Sequence, residues 1–599
     1  LVTTNVLRDA LLTDFGKATL DDRYLLSGET YQSLFKRVAE AYGSNPEHAQ
    51  RLYDYMSMLW FMPATPILSN GGTDRGLPIS CYLNHVEDSM EGIANVWNEN
   101  VYLASRGGGI GTYWGGVRSI GEAVGRNGHT SGIIPFIKVM DSLTLAISQG
   151  SLRRGSAAVY VDISHPEIEE FLEIRKASGD FNRKSLNIHH GVMIDDVFME
   201  AVRSGQPYAL KSPKTGETVR EVDPRALFER LLETRVATGE PYIVFSDTVN
   251  NAAPSHHKKL GLKVSTSNLC SEITLPTSED RTAVCCLSSL NLEKWDEWRS
   301  NDKFIDDVME FLDNVLDAYI NEAPPEMHKA VQSAYRERSV GLGVMGFHSY
   351  LQGRGIAFEG ALAKGMNMQM FKHIKDKVDE ADLRLALERG GCPDAVAAGE
   401  FRRFSYRTAI APTASISIIA GGTSACIEPI PANVYTHKTL SGSFTVKNKY
   451  LDAVIKEMSL IFNDDVIDGW LWAEEQWNSI LENEGSVQHL NWMTPLQKDI
   501  FKTAFEIDQR WIVEFASDRQ PYIDQSQSLN LYIPADVNKW DLMMLHFKGW
   551  EQGVKSFYYL RSKSLQRAGF AGSVSDDNTI TPPHVEVTPT NFEECLSCQ

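Results

Sequence analysis

Cysteine is scarce in this chain: Cys81, Cys270, Cys285, Cys286, Cys392, Cys426, Cys595 and Cys598 are the only eight in 599 residues. So few, with no apolar segment following Leu1, argue against a secreted disulfide framework and predict residence in the reducing cytoplasm. A disulfide in such a chain is expected to be a working one. Positive charge is also short, with 58 Lys and Arg against 78 Asp and Glu and a net charge of -20. That balance leaves no basic stripe for a nucleic-acid polymer, although it permits local binding of single nucleotides. Long apolar runs are missing as well. The nearest, Ile416 to Val434, is broken by Gly421, Gly422, Pro429 and Pro431, so no membrane span is expected. What remains is ordinary globular composition, 43% hydrophobic and 23% charged, in a chain long enough for two or three structural regions.

Residues 1–62 read as a helical region. Tyr31 to Tyr42 and His48 to Met62 carry apolar residues at helical spacing, the second run ended by Pro63. From 63 to about 570 strand-like apolar runs alternate with amphipathic helices, which predicts an α/β domain with its chemistry at strand C-termini. One unit is explicit. Ser528 to Ile533 reads as a strand, Asp536 as the cap of a helix through Lys548, Gly549 as its stop, and Val554 to Leu560 as the next strand. Residues 571–599 lose this pattern. Ala571 to Glu594 is rich in Ser, Thr, Pro, Asp and Asn and predicts a tether, whose roughly 25 residues would span about 25–30 Å.

The densest chemistry lies in Asn268-Leu269-Cys270-Ser271-Glu272. If that run is extended, alternation places the Asn268 amide, Cys270 thiol and Glu272 carboxylate on one face, with Leu269 and Ser271 behind. A carboxylate can take a substrate proton, an amide can hold a hydroxyl, and a sulfur can act by polar or one-electron chemistry. The plain alternative is that Cys270 is a small buried hydrophobe. Cys595-x-x-Cys598 is either half a zinc site or a redox dithiol. Zinc normally takes four ligands, and no second Cys-x-x-Cys or spaced histidine pair accompanies it, which favours redox exchange and predicts no metal site.

Other segments are weaker. Gly107 to Gly111, followed by Gly115 and Gly116, lacks the order of a dinucleotide fingerprint and reads equally as a close backbone approach or a tight turn. Pro412-Thr413-Ala414-Ser415-Ile416-Ser417 offers hydroxyls and amides suited to a diphosphate nest without a Walker lysine, although such turns are common. Tyr558 and Tyr559 fall on the last expected strand. Neighbours on a regular strand face opposite ways, so their rings can act together only if the backbone bends there.

These residues, in this order, resemble the large catalytic α subunit of class I ribonucleoside-diphosphate reductase. The resemblance runs from about Pro63 to the C-terminus through Pro63-Ala64-Thr65-Pro66, Ser80-Cys81, Gly109-Ile110-Gly111, Asn268 to Glu272, Cys285, Pro412 to Ser417, Asp524-Gln525-Ser526-Gln527-Ser528, Tyr558-Tyr559 and the Cys-x-x-Cys tail. It implies a ten-stranded α/β barrel with a central finger loop carrying Cys270. By the same resemblance Cys270 becomes a thiyl radical that removes the 3′ hydrogen of a ribonucleoside diphosphate, Glu272 accepts the 3′-hydroxyl proton, and Asn268 orients the substrate. Cys81 and Cys285 match the reducing pair, with Cys286 as the alternative partner of Cys81, and Cys595 and Cys598 match the dithiol that thioredoxin or glutaredoxin recharges. Thr65, Ser80, Gly109, Pro412, Thr413, Ala414, Ser415 and Ile416 match substrate-binding positions. Asp88, Arg118 and the loop 148–157, with Arg153 and Arg154, match sites for nucleoside triphosphate effectors.

Tyr558 and Tyr559 imply radical delivery from a separate β subunit that holds the metal-containing radical cofactor, with none bound in this chain, and the family implies a homodimer. Too few residues precede Pro63 for a helical cap plus an ATP cone, which predicts no overall dATP switch in this sequence. The alternatives are a cobalamin-dependent reductase, which needs no tyrosine relay, a non-catalytic nucleotide-binding regulator, and a thiol or zinc-tail protein that accounts only for the last five residues.

Overall fold

A computed structural model describes residues 1–148, 156–439 and 442–563. The tail, with Cys595 and Cys598, and Arg153 and Arg154 therefore lie outside the described residues. Tyr31–Tyr42 is a helix as expected: Thr30 and Ser33 form a reciprocal cap, and Leu34, Phe35, Val38, Ala39 and Tyr42 are buried along one stripe. The next helix departs from expectation. It is Pro46–Ser57, opened by Asn45, and it stops five residues short of Met62. The chain reverses at Leu59, with φ 63, and Phe61–Pro63 becomes strand β1. Its residues are buried throughout, without the polar face of a helix, and Pro63 is tolerated because β1 is an edge strand.

The barrel is built from two curved sheets. The larger contains β2 (Cys81–His85), β3 (Gly109–Tyr113), β4 (Ser156–Asp162), β5 (His189–Ile194) and β6 (Tyr242–Phe245), paired in that order and parallel. β7 (Ala283–Val284) joins β2 antiparallel. In the other sheet β1 pairs antiparallel with β8 (Leu287–Asn291), and β8 pairs parallel with β9 (Gly341–Met345). Bridges from Leu342 to Thr408 and from Ile410 to Gln527 extend this half through two further segments. The closing strands are β10 (Leu531–Ile533), β11 (Ser556–Phe557) and β12 (Leu560–Ser562); β11 pairs with β6 and β12 with β10. Strands such as β6 and β9 are buried on both faces, which is why their sequences are nearly continuous apolar runs.

The 528–560 unit is displaced from its expected bounds. Regular pairing begins only at Leu531, and Asn538 rather than Asp536 caps the helix, which runs Lys539–Glu551 straight through Gly549. Gly549 is there for packing: a Cβ would fall 2.3 Å from the Phe557 ring. The left-handed residue after the helix is Gly553, at φ 85. The expected strand Val554 to Leu560 is split, because the chain leaves β6 after Phe557 and joins β10 from Leu560. Residues 434–501 also break the α/β alternation: a hairpin and three helices, the last the short Pro495–Ile500, enclose a second core around Leu451, Ile455, Trp477 and Ile480. Among the described residues no helix is long and apolar enough to cross a membrane.

Gly111 on β3 faces the loop that fills the barrel. A Cβ there would lie 1.9 Å from the Ser267 carbonyl oxygen and 2.9 Å from Asn268 Cα, so the glycine run serves a close backbone approach. Gly111→Ala is expected to lower stability by about 1–3 kcal/mol, the usual cost of overpacking a filled interior. Gly116→Ala, whose Cβ would meet nothing nearer than 3.7 Å, should stay within about 0.5 kcal/mol of the parent in the same denaturant titration. Equal effects of the two changes would show that the loop yields at Gly111.

Candidate active site

Residues 266–277 are buried yet form neither helix nor strand, so their polar backbone needs partners from elsewhere. The barrel wall provides them. The Tyr160 hydroxyl on β4 donates to the Asn268 carbonyl and lies 3.1 Å from Ser271 Oγ. Ser528 Oγ donates to the Cys270 carbonyl at 2.7 Å, and Ser556 Oγ to the Ser271 carbonyl at 2.8 Å. The Ser526 amide donates to the Glu272 carbonyl, and Gln525 Oε1 accepts from the Thr274 amide. Within the loop, Asn268 Oδ1 accepts from the Ile273 amide at 3.2 Å. The loop is thus a finger pinned by β4, β11 and the 525–528 segment.

Its tip is a turn, which corrects the expected extended run. Leu269 and Cys270 form the turn and Ser271 sits at φ 63, because a segment that enters a barrel and returns must reverse. The turn still joins two of the three expected groups, the Asn268 amide and the Glu272 carboxylate. Asn268 Nδ2 donates to Glu272 Oε2 at 2.9 Å and lies 3.6 Å from Cys81 Sγ, and Ser528 Oγ is 3.2 Å from the same Glu272 oxygen.

Cys81 and Cys285, far apart in sequence, are neighbours across β2 and β7. The register Leu83 with Ala283 and Tyr82 with Val284 continues to Cys81 opposite Cys285, whose amide donates to the Cys81 carbonyl at 3.0 Å. Opposed antiparallel residues stand about 4.5–5.5 Å apart at Cα, inside the range a disulfide requires. Cys286 points the other way: its thiol faces the Leu312 carbonyl at 3.7 Å, and burial pushes it well above the usual thiol range. Gly109 lies beside Cys81 in register, and its amide donates to the Ser80 carbonyl at 2.7 Å.

Tyr558 and Tyr559 occupy the interval between β11 and β12, where the chain changes partners. That bend brings both rings together, with centroids 4.3 Å apart and an interplanar angle of 49°. Tyr558 has the Cys270 thiol as a hydrogen-bond partner; burial, reinforced by Cys270, pushes its phenol well above the ordinary value, so it stays protonated. Thr413 takes φ 53 before the short helix Ala414–Ile419, and its Oγ1 accepts from the Cys426 amide at 2.7 Å. Cys426 Sγ in turn lies 3.6 Å from the Ser528 carbonyl, which ties the Pro412–Ile416 turn to the finger. Thr65 is buried against the Tyr24 hydroxyl at 2.8 Å. Asp88 and Arg118 also meet, with Arg118 Nε 3.1 Å from the carboxylate.

Sequence reasoning missed Tyr160 and Ser556, which sit among apolar strand residues and resemble core positions. It noticed Asp524 to Ser528 as a run but assigned it no work; the hydroxyl–amide alternation there was the available signal.

The family model described as "Ribonucleotide reductase, barrel domain" matches residues 79–399 and 398–560, and that described as "Ribonucleotide reductase, all-alpha domain" matches 10–76. The chain is 40% identical to the ribonucleoside-diphosphate reductase large subunit of Invertebrate iridescent virus 3, over all of both chains. It is 32% identical to the ribonucleoside-diphosphate reductase subunit alpha of Chlamydia trachomatis, over 93% of this chain and 59% of that longer one. Among solved structures it resembles the class Id ribonucleotide reductase alpha subunit of Actinobacillus ureae, with a TM-score of 0.81, 33% identity, and coverage of 94% of this chain and 98% of that one.

A buried carboxyl gives the wall beside this site a pH response. Glu428 accepts from the Tyr532 hydroxyl at 2.8 Å and Asn530 Nδ2 at 3.3 Å, while Asn530 Oδ1 accepts the Tyr559 amide. Burial raises its pKa to about 7, against an opposing pull from Arg561. A raised carboxyl pKa favours the folded state below the unfolded value, about 4.5, and that contribution is lost as pH rises through about 7. Stability of the parent should therefore decline across that interval by more than that of Glu428→Gln, as urea midpoints at pH 5 and pH 8 would show. Parallel profiles would remove Glu428 as the source.

Proposed function

The chain belongs to the ribonucleotide reductase family as a class I large (α) subunit, and from that premise we propose that Cys270, on the finger tip, converts ribonucleoside diphosphates to 2′-deoxyribonucleoside diphosphates by thiyl-radical chemistry. The observation that carries this is the line Tyr559, Tyr558, Cys270: two packed phenols, the inner one bonded to the thiol that shares a turn with Asn268 and Glu272. A continuous line of oxidisable O–H and S–H groups lets a hydrogen-atom equivalent move by short steps. The same line is the specific reason to favour radical delivery from a β subunit over a cobalamin-dependent enzyme. When bound, that partner's metal-containing cofactor supplies the one-electron oxidant.

Cys270, as a thiyl radical, takes the 3′ hydrogen of the ribose. Glu272 accepts the 3′-hydroxyl proton, with Asn268 holding the carboxylate and Ser528 beside the same oxygen. One thiol of Cys81 and Cys285 protonates the leaving 2′ oxygen. The pair then supplies two electrons and closes to a disulfide, so that one diphosphate and two thiols give one deoxy product, one disulfide and one water. The hydrogen returns from Cys270 to C3′, and the radical is restored. Pro412 to Ile416 takes the diphosphate through backbone amides and hydroxyls, with Thr65, Ser80 and Gly109 lining the nucleotide. Cys286 stays outside the exchange because its thiol faces away, toward Leu312. Asp88, Arg118 and Arg154 serve effector nucleotides at a homodimer boundary, and the enzyme works in the cytoplasm, where thioredoxin or glutaredoxin keeps Cys595 and Cys598 reduced.

Cys270→Ser nearly preserves volume but removes the weak S–H bond. Turnover with β present should vanish while nucleotide binding, followed by calorimetry, is retained; deoxynucleotide formation near the parent rate would take Cys270 out of the radical role. Changing Cys595 and Cys598 together to serine tests the tail. About one turnover per prereduced chain should survive, since one internal disulfide accounts for one reduction, and cycling with thioredoxin should stop. Partial rescue by a small dithiol would support the tail as carrier, whereas normal cycling with thioredoxin would exclude it.

A further inference from the structure

Tyr242 opens β6, and its ring is enclosed by the two relay tyrosines. Its centroid lies 4.8 Å from that of Tyr558 and 5.2 Å from that of Tyr559, so the three rings form a triangle whose third side is the 4.3 Å between the pair. The side chain is fully buried. Its phenol oxygen nevertheless makes no hydrogen bond of normal geometry, unlike Tyr160, whose hydroxyl is engaged by the finger. Leaving a buried hydroxyl in that state costs about 1–3 kcal/mol. A phenylalanine would fill the same space without that cost, so packing alone does not account for the oxygen.

The Tyr559 phenol is a neighbour that oxygen can serve. Burial pushes the Tyr242 phenol well above its ordinary value, with Tyr559 adding to the shift, whereas Tyr242 acts on Tyr559 in the opposite sense, as a donor would. The backbone holds the two in place. Arg235 Nη1 donates both to the Pro241 carbonyl, at 2.6 Å, and to the Tyr558 carbonyl, at 2.9 Å, which locks the start of β6 to the bend that carries the pair. On the far side, His189 stacks on Tyr242 with centroids 6.2 Å apart, and it is itself held by Glu240.

A phenol that gives up an electron in a buried site must also give up its proton, because the cation it would otherwise become is poorly solvated there. Its oxygen then changes from donor to acceptor. We propose that Tyr242 is a positioning residue of the radical relay, whose phenolic O–H turns to donate a hydrogen bond to the Tyr559 oxygen once Tyr559 is oxidised. The inference rests on the relay reading above. The electron passes from Tyr559 to the metal-based oxidant of the β subunit and the proton to water at the subunit boundary. No bond of Tyr242 breaks.

The test uses the full chain with β and substrate, with 3-aminotyrosine in place of Tyr559 to trap the radical there. Hydrogen bonds to a phenoxyl oxygen lower its largest g value, so high-field electron paramagnetic resonance reads the donor directly. In Tyr242→Phe that g value should rise, and the radical yield at 559 should fall between about 3- and 10-fold, the worth of one neutral hydrogen bond. With the analogue at position 558, which has Cys270 as its own partner, the g value should not move. Thermal stability should be unchanged or higher, since Phe removes only the unmatched oxygen. An unchanged g value at 559 in a variant that still forms the radical overturns the role of Tyr242. Absence of any radical at 558 or 559 with Tyr242 intact overturns the relay reading, and this inference with it.

Discussion

The rest of the site depends on the cost of burying a backbone segment that belongs to no helix or sheet. Every amide and carbonyl of the finger that lost water without a partner would cost on the order of 1–3 kcal/mol, and several such losses would exceed what a domain can spare. The barrel answers with side chains: Tyr160, Gln525, Ser528 and Ser556 each meet a backbone group of the finger. Since those residues come from β4, from β11 and from the 525–528 segment that precedes β10, the finger is held by three separate parts of the chain at once. The position of Cys270 follows from that, and so does its meeting with Tyr558.

The same bonds that hold the turn also set its chemistry. Ser528 spans the Cys270 carbonyl and the Glu272 carboxylate, so one hydroxyl fixes both the backbone of the tip and the carboxylate beside it. Asn268 joins that carboxylate to the sulfur of Cys81. The finger turn, its carboxylate and the Cys81 sulfur are therefore linked by groups within hydrogen-bond reach. Gly111 contributes by what it lacks, since any side chain there would displace the Ser267 carbonyl.

The tyrosine pair illustrates how topology overrides strand periodicity. On one strand neighbouring rings would face apart, but here the chain leaves β6 after Phe557 and takes up β10 at Leu560. The switch frees the two intervening residues from alternation, and Arg235 fastens the bend by its hold on the Tyr558 carbonyl. Tyr242, from the strand being left, packs against both rings.

Much was legible before any fold was known. Sparse cysteine, the acidic balance, the helical stripe of Tyr31 to Tyr42 and the types of residue at 268, 270, 272, 558 and 559 are properties of the chain itself, because composition, periodicity and functional-group chemistry are local. What the sequence by itself determined was therefore which groups are available and what each can do. Only the tertiary structure decided which of them meet. The Ser271 reversal replaced the expected extended run, β2–β7 pairing chose Cys285 over Cys286 as the neighbour of Cys81, and hydroxyls from β4, from 526–528 and from β11 gathered around one turn. Those outcomes depend on satisfying buried polar groups across long sequence separations, and no local pattern encodes the partner at the far end.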